Sequence, residues 1–267
     1  MAGKDFDGFV VVVTGGSTGL GRAIAVEVAE RGAKAVIVNY ASSRDEAAET
    51  VRLVEALGAQ GILAQGDVAD DAACKAIVAH AAPFGKIDAL FNNAGMTKFA
   101  PNHSDLDALQ AEDFTRLYSV NVVGAFQMVR AARSLLESAP QPGAVVNTSS
   151  IAAVTGIGSS VAYAASKGAM TTMTLSLARA LAPKIRVNAV CPGFIDTPWF
   201  GKSMPDETVD RMRQGVIKSS PLQVASTAED IAASTVFLAS PASRHVTGET
   251  LLVDAGTHLG FASLSMR

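Results

Sequence analysis

Tyr163 and Lys167 stand four residues apart in the run Tyr163-Ala164-Ala165-Ser166-Lys167. The residues that follow, 170–182, carry Met173, Leu177 and Leu181 at helical spacing. Phenol and ammonium are therefore expected one turn apart on a single helix face. A phenol normally ionises near pH ~10. A cation roughly 4 Å away favours the phenolate by up to about 4 kcal/mol at an effective dielectric of ~20. The expectation is a tyrosine drawn towards the working pH, where it can pass a proton either way. Ser149 and Ser150 end a strand-like run, Ala144-Val145-Val146-Asn147, and a small-residue loop leads from them to Ala162. A serine at a strand end and a tyrosine at a helix start meet at the carboxyl edge of a sheet, where open α/β folds bind ligands. The same tyrosine and lysine on a solvated helix would carry no chemistry, so the rest of the chain has to supply that edge.

Residues 9–13, Phe-Val-Val-Val-Val, are β-branched and bounded by glycine, which suits a buried parallel strand. Thr14-Gly15-Gly16-Ser17-Thr18-Gly19-Leu20-Gly21 follows, and then a helical stretch with Ile24 and Val28 on its apolar face. Strand, glycine-rich turn and helix is the layout for a pyrophosphate: glycine lets the backbone come close, and the helix start offers free N–H groups and a positive dipole end. The spacing is Gly-x-x-x-Gly-x-Gly rather than the commonest dinucleotide fingerprint. A second strand, 35–38, runs into Asn39-Tyr40-Ala41-Ser42-Ser43-Arg44. An acid at that strand end would bind the ribose hydroxyls of NAD. Asn39 stands there instead, and Ser42, Ser43 and Arg44 suit a 2′-phosphate. Further strands are expected at 61–65, 87–91, 144–147, 185–190 and 250–253. Helices are expected at 46–57, 71–81, 112–136 and 227–238, the last opened by the capping signal Thr227…Glu229-Asp230. Asn121, inside the long 112–136 pattern, is costly if buried without a partner.

Strands and helices alternate from end to end, with no repeat and no Pro- or Ser-rich linker. One doubly wound, Rossmann-like α/β domain spanning 1–267 is the expected fold, a parallel sheet flanked by helices. The composition, 49% hydrophobic and 18% charged, argues for a sizeable core and against disorder. A net charge of -3 without a basic block argues against nucleic acid as a partner. Cys74 and Cys191 lack metal or redox spacing, so no metal is expected and a cytoplasmic setting is the simplest. The beginning does not read as a signal peptide, and no apolar run is long enough for a membrane span.

Ser150 with Tyr163-x-x-x-Lys167, Thr14-Gly15-x-x-x-Gly19-x-Gly21, Asn92-Asn93-Ala94-Gly95 and Pro192-Gly193 together resemble the signature of the short-chain dehydrogenase/reductase family. The resemblance covers about residues 8–257 and is good to 3-oxoacyl thioester reductases and to many ketone, sugar and steroid dehydrogenases. The serine-to-tyrosine separation fits Ser150 better than Ser149. The resemblance implies an oxidoreductase that moves a hydride between a nicotinamide cofactor and a carbonyl or secondary alcohol. Tyr163 would be the proton donor and Ser150 would steady the oxygen. Lys167 would serve both the tyrosine and the nicotinamide ribose, and Asn121 would complete a proton relay through water. Asp67 and Val68 would flank the adenine, with Asn93, Ala94 and Gly95 beside the cofactor and Pro192, Gly193, Ile195 and Thr197 near the nicotinamide. It further implies a substrate lid at about 194–221, carrying Trp199, Phe200, Met204, Met212 and Ile217, and a homotetramer, with a dimer second. Leu117, Val120 and Phe126 offer apolar surface for that assembly. NADP(H) is the expected cofactor, with NAD(H) possible. Ala255 departs from the glycine common in the family, and the tail 258–267 has no counterpart. The rivals are an epimerase, a dehydratase or an enoyl reductase, an NAD-dependent alcohol, sugar or steroid dehydrogenase, and a non-catalytic nucleotide-binding regulator. The close Tyr–Lys spacing argues against the enoyl reductase, and the presence of both residues argues against the regulator.

Overall fold

The computed structural model describes residues 4–197 and 205–260. Seven parallel strands form one sheet in the order β3-β2-β1-β4-β5-β6-β7. They are β1 (Val10–Val13), β2 (Ala35–Tyr40), β3 (Gln60–Gln65), β4 (Ala89–Asn92), β5 (Gly143–Thr148), β6 (Ile185–Pro192) and β7 (Thr250–Val253). The helices between them are α1 (Gly19–Glu30), α2 (Arg44–Ala56), α3 (Asp71–Ala79), α4 (Ala111–Tyr118) and α5 (Ala125–Glu137). The short α6 (Ala152–Thr155), α7 (Val161–Leu181), α8 (Asp206–Ser219) and α9 (Ala228–Ala239) follow. This is the doubly wound, Rossmann-like fold expected from the sequence.

The four valines of β1 are fully buried because the central strand is covered on both faces. Their alternation divides the core in two. Val11 and Val13 pack with Ile24 and Val28 of α1 and Ile231 and Val236 of α9. Val10 and Val12 pack with Ile77 of α3 and Met128 and Leu136 of α5. The start of α9 forms the capping pair read from the sequence: Asp230 N donates to Thr227 Oγ1 at 3.2 Å, and Thr227 N donates to Asp230 Oδ2 at 2.8 Å.

The 112–136 pattern is not one regular helix. A π-helical segment, Ser119–Gly124, separates α4 from α5. Asn121 lies fully buried within this segment. Its Oδ1 accepts from Met96 N at 2.8 Å, while its Nδ2 donates to Met96 O at 3.1 Å and to Ser166 Oγ at 3.0 Å. The amide thus bonds the loop after β4 and helix α7 rather than its own helix backbone.

The strand order reverses between β1 and β4, which opens a crevice at their carboxyl ends. Thr14 closes its floor. Its hydroxyl donates to Phe91 O at 3.3 Å and accepts from Asn93 N and Ala94 N, each at 3.0 Å. Among the described residues, no helix is long and apolar enough to cross a membrane.

Candidate active site

A cavity of about 310 Å³ occupies the crevice. The glycine-rich turn contributes Gly15, Ser17, Thr18, Gly19 and Leu20, and the turn after β4 contributes Asn93, Ala94 and Gly95. Thr148, Ser149, Ser150, Tyr163 and Lys167 form the next wall, and Pro192, Gly193, Ile195 and Thr197 the last. Segments that are distant in sequence and were singled out for chemistry therefore share one space.

The glycine-rich turn is held by close approach. A Cβ on Gly21 would lie 2.1 Å from Gly15 O, and one on Gly15, at φ +60, would lie 2.9 Å from Ala94 Cα. Asn93 Nδ2 donates to Gly15 O at 3.1 Å. Thr18, the N-cap of α1, makes no side-chain cap, so the first turn's N–H groups are left for a ligand at the cavity. Arg22 was not singled out from the sequence, yet its guanidinium donates twice to Ser17 O, at 2.7 and 3.2 Å, and shapes the same turn.

The two serines separate cleanly. Ser149 Oγ donates to Lys167 O at 3.0 Å and meets Thr171 Oγ1 at 3.1 Å, so it ties β5 to α7. Ser150 accepts from Ala152 N at 3.1 Å and hydrogen-bonds the Tyr163 side chain. Tyr163 enters α7 through its N-cap, where Tyr163 N donates to Ser160 Oγ at 3.1 Å. Lys167, one turn on, donates its ammonium to Thr148 O at 2.7 Å and lies 5.7 Å from the centre of the Tyr163 ring.

This geometry overturns the expected depression of the phenol. Burial pushes Tyr163 up to about 12, against a smaller lowering by Ser150. Burial also draws Lys167 down to about 8. The ammonium is directed to a strand-end carbonyl, and desolvation is the largest cause of both shifts. Tyr163 is therefore neutral and carries its proton at ordinary pH. Cys191 is buried beside this group, and burial raises its thiol.

The adenine-side candidates do not line the cavity. Asn39 is buried and engaged: Oδ1 accepts from Gly15 N at 3.2 Å, and Nδ2 donates to Ala64 O and Gly66 O, each at 3.0 Å. It fastens the ends of three strands, which accounts for an amide rather than a carboxylate at the end of β2. Tyr40 is buried in the core. Ser42 and Arg44 are exposed, with Ser43 as the N-cap of α2. Asp67 Oδ1 accepts from Ala69 N at 3.0 Å, and Val68 is buried with its carbonyl accepting from Gln127 Nε2 at 2.9 Å.

Of the expected lid, Trp199, Phe200 and Met204 lie outside the described residues, whereas Met212 and Ile217 are half-buried on α8. Arg213 of α8 pairs with Asp196, Nε to Oδ2 at 2.6 Å and Nη2 to Oδ1 at 3.0 Å. Among the described residues, no group of three or more His, Cys, Asp or Glu is arranged to hold a metal ion.

Known proteins share both the sequence and the fold. A family model described as enoyl-(acyl carrier protein) reductase matches residues 15–258. The L-rhamnose 1-dehydrogenase (NAD(P)(+)) of a Sphingomonas species is 38% identical over 96% of this chain and 98% of its own length. The chain belongs to the short-chain dehydrogenase/reductase family. Another member, the 3-oxoacyl-[acyl-carrier-protein] reductase of Staphylococcus aureus, is 34% identical over 93% of this chain and 97% of its own. The crystal structure of a short-chain dehydrogenase/reductase described as a glucose/ribitol dehydrogenase, from Brucella melitensis, superposes with a TM-score of 0.83. It is 31% identical and covers 94% of this chain and 97% of its own. The protein is thus an oxidoreductase of a family that uses NAD(H) or NADP(H) on small molecules.

Proposed function

We propose that the protein is an NADP(H)-preferring carbonyl reductase or secondary-alcohol dehydrogenase. The observation that carries this reading is the grouping of Ser150, Tyr163 and Lys167 on the wall of a cavity whose floor is the glycine-rich turn. That cavity suits a nicotinamide dinucleotide: uncapped N–H groups of α1 face it, and glycines line it where a Cβ would clash. Gly15, Ser17, Thr18, Gly19, Leu20 and Gly21 would hold the pyrophosphate. Asn93, Ala94, Gly95, Lys167 and the 192–197 segment would hold the nicotinamide half. When bound, the cofactor supplies or accepts a hydride.

The chain's own groups manage the proton. Neutral Tyr163 gives its hydroxyl proton to the carbonyl oxygen as charge builds there, and Ser150 donates a hydrogen bond to the same oxygen. The Lys167 ammonium favours the phenolate left behind. Asn121 shapes the π-helical segment behind Gly95 and Lys167, and a Cβ on Gly95 would lie 3.3 Å from Asn121 Oδ1. We assign the proton relay to a water held at Asn121.

Exposed Ser42 and Arg44 beside Ser43, with no carboxylate at the end of β2, support the preference for a 2′-phosphate. We assign the substrate lid to 194–221, a cytoplasmic location on the strength of two buried free cysteines, and a homotetrameric assembly. The test is NADPH oxidation with a mixed carbonyl panel, in wild type and in Tyr163→Phe. The variant should lose about 10²–10⁴ in kcat while binding NADPH within a few-fold of wild type. Retention of more than half the activity at saturating substrate would refute the assigned proton donor.

A further inference from the structure

The loop between Ser150 and Tyr163 borders the reacting pair, and among the described residues it offers a substrate almost no free polar side chain. Residues 149–160 contain no Asp, Glu, Lys, Arg or His. Their hydroxyls, Ser150 aside, are already engaged. Ser149 bonds α7 as described. Thr155 Oγ1 donates to Ile151 O at 3.1 Å and accepts from Ile157 N at 3.2 Å. Ser159 Oγ is bonded to Thr97 Oγ1, and Ser160 caps α7. His103, from the loop after β4, is within hydrogen-bonding distance of Gly158 O at 3.1 Å.

What this loop exposes instead is aliphatic: Val154 at 55% and Ile157 at 75%. Both belong to the loop that joins Ser150 to Tyr163. A Cβ on Gly158, next to Ile157, would lie 3.4 Å from Tyr163 Cδ1, so the loop rests on the phenol ring. The stretch after α8 repeats the theme. Residues 220–226 contain no ionisable side chain, and Leu222 and Val224 are exposed. Leu222 N donates to Ala255 O at 3.2 Å, which joins that stretch to the end of β7. Among the described residues of this edge, Asp196 pairs with Arg213 and Asp254 with His258.

A polyhydroxylated substrate entering such a site would find few side-chain partners beyond Ser150 and Tyr163, and unmade buried hydrogen bonds weigh heavily in discrimination. A hydrocarbon arm needs none and gains from burial. Resting on the hydride-transfer reading above, we propose that the substrate is a carbonyl compound, or its alcohol, bearing an unbranched hydrocarbon arm. That arm lies against Val154 and Ile157. Sugars are poor substrates although two of the similar proteins are described as sugar or polyol dehydrogenases.

The experiment is kcat/KM for 2-butanone, 2-hexanone and 2-octanone with NADPH, and for 2-octanol, L-rhamnose and ribitol with NADP⁺. Each added methylene should raise kcat/KM by about fourfold. L-Rhamnose and ribitol should fall at least a hundredfold below 2-octanol. Ile157→Asn should cut the gain to less than twofold per methylene, with NADPH binding confirming that the variant is folded. A flat ketone series, or a sugar better than 2-octanol, overturns the substrate class and leaves the hydride-transfer reading standing. Inertness of every compound with NADPH still bound overturns both.

Discussion

Lys167 is buried and Tyr163 half-buried at the cavity wall, and each resists the charge it would carry in solution. A phenol near 12 is a poor base at neutral pH but holds a proton ready for an oxygen gaining charge during reduction. Lys167 is lowered to about 8, so in the free enzyme its positive charge is present below that pH and lost as pH rises through it. Profiles of kcat/KM for the cofactor report groups of the free enzyme. That parameter for NADPH should be flat at lower pH and decline above about 8. Lys167→Arg, which stays charged, should remove the decline even if its rate is low. A wild-type profile unchanged up to pH 10 would contradict the role given to the ammonium. Cofactor choice is tested at Arg44 rather than Asn39. An aspartate at 39 would set oxygen against Ala64 O and Gly66 O and report on folding instead. Hydrogen bonds to charged groups contribute about 1.5–3 kcal/mol, and tenfold needs only ~1.4. Arg44→Ala should therefore lower kcat/KM for NADPH about tenfold and leave NADH within twofold. A wild type that prefers NADH tenfold would refute the preference.

Elements follow from local sequence wherever the local pattern meets a uniform environment. The valine run of β1 is legible because a central parallel strand is buried on both faces, and the start of α9 because a capping box is closed by neighbours in sequence. The catalytic candidates were legible through a spacing, Tyr163 to Lys167, and a strand end, Ser150. Asn39 and the π-helical turn at Asn121 were not, because their partners, Ala64, Gly66 and Met96, lie 25 or more residues away and no periodicity encodes them. The phenol's direction of shift was misread for a related reason: spacing gives proximity but not where an ammonium points. Ala255 shows a departure whose consequence becomes physical only in the structure. It adopts φ +55, a left-handed conformation that costs an L-residue roughly 1–2 kcal/mol. Glycine relieves this but loses about 0.5–1 kcal/mol through its freer unfolded chain. Ala255→Gly should therefore stabilise by up to about 1 kcal/mol, a rise in Tm of roughly 2–4 °C. A calorimetric Tm lower than wild type would show that the methyl group packs more usefully than it strains.

Whole-molecule assembly turns on which apolar groups remain after the subunit has folded. Of the three side chains that suggested an assembly surface, Leu117 and Val120 are buried and consumed within the subunit, Val120 packing in the core beneath α5. Phe126 remains 42% exposed, and Phe114, Tyr118 and Val123 are exposed with it along α4, the π-helical segment and α5. This outer stripe comes from the same 27 residues, 111–137, whose inner side carries Leu117, Asn121, Met128 and Leu136. Exposed aromatic and aliphatic groups in a row signify association more often than chance. A second copy offering the same stripe about a two-fold axis would cover both at once. Leu175 on α7 is exposed as well and offers apolar surface to a further copy. Val123→Arg puts a charge into the middle of the stripe and removes none of the cavity walls. Wild type should scatter light as a tetramer, or as a dimer, at micromolar concentration, and Val123→Arg should shift to smaller species by at least tenfold in dissociation constant. A monomeric wild type, or a variant that assembles unchanged, would remove the stripe from the interface and leave its aromatic exposure without an account.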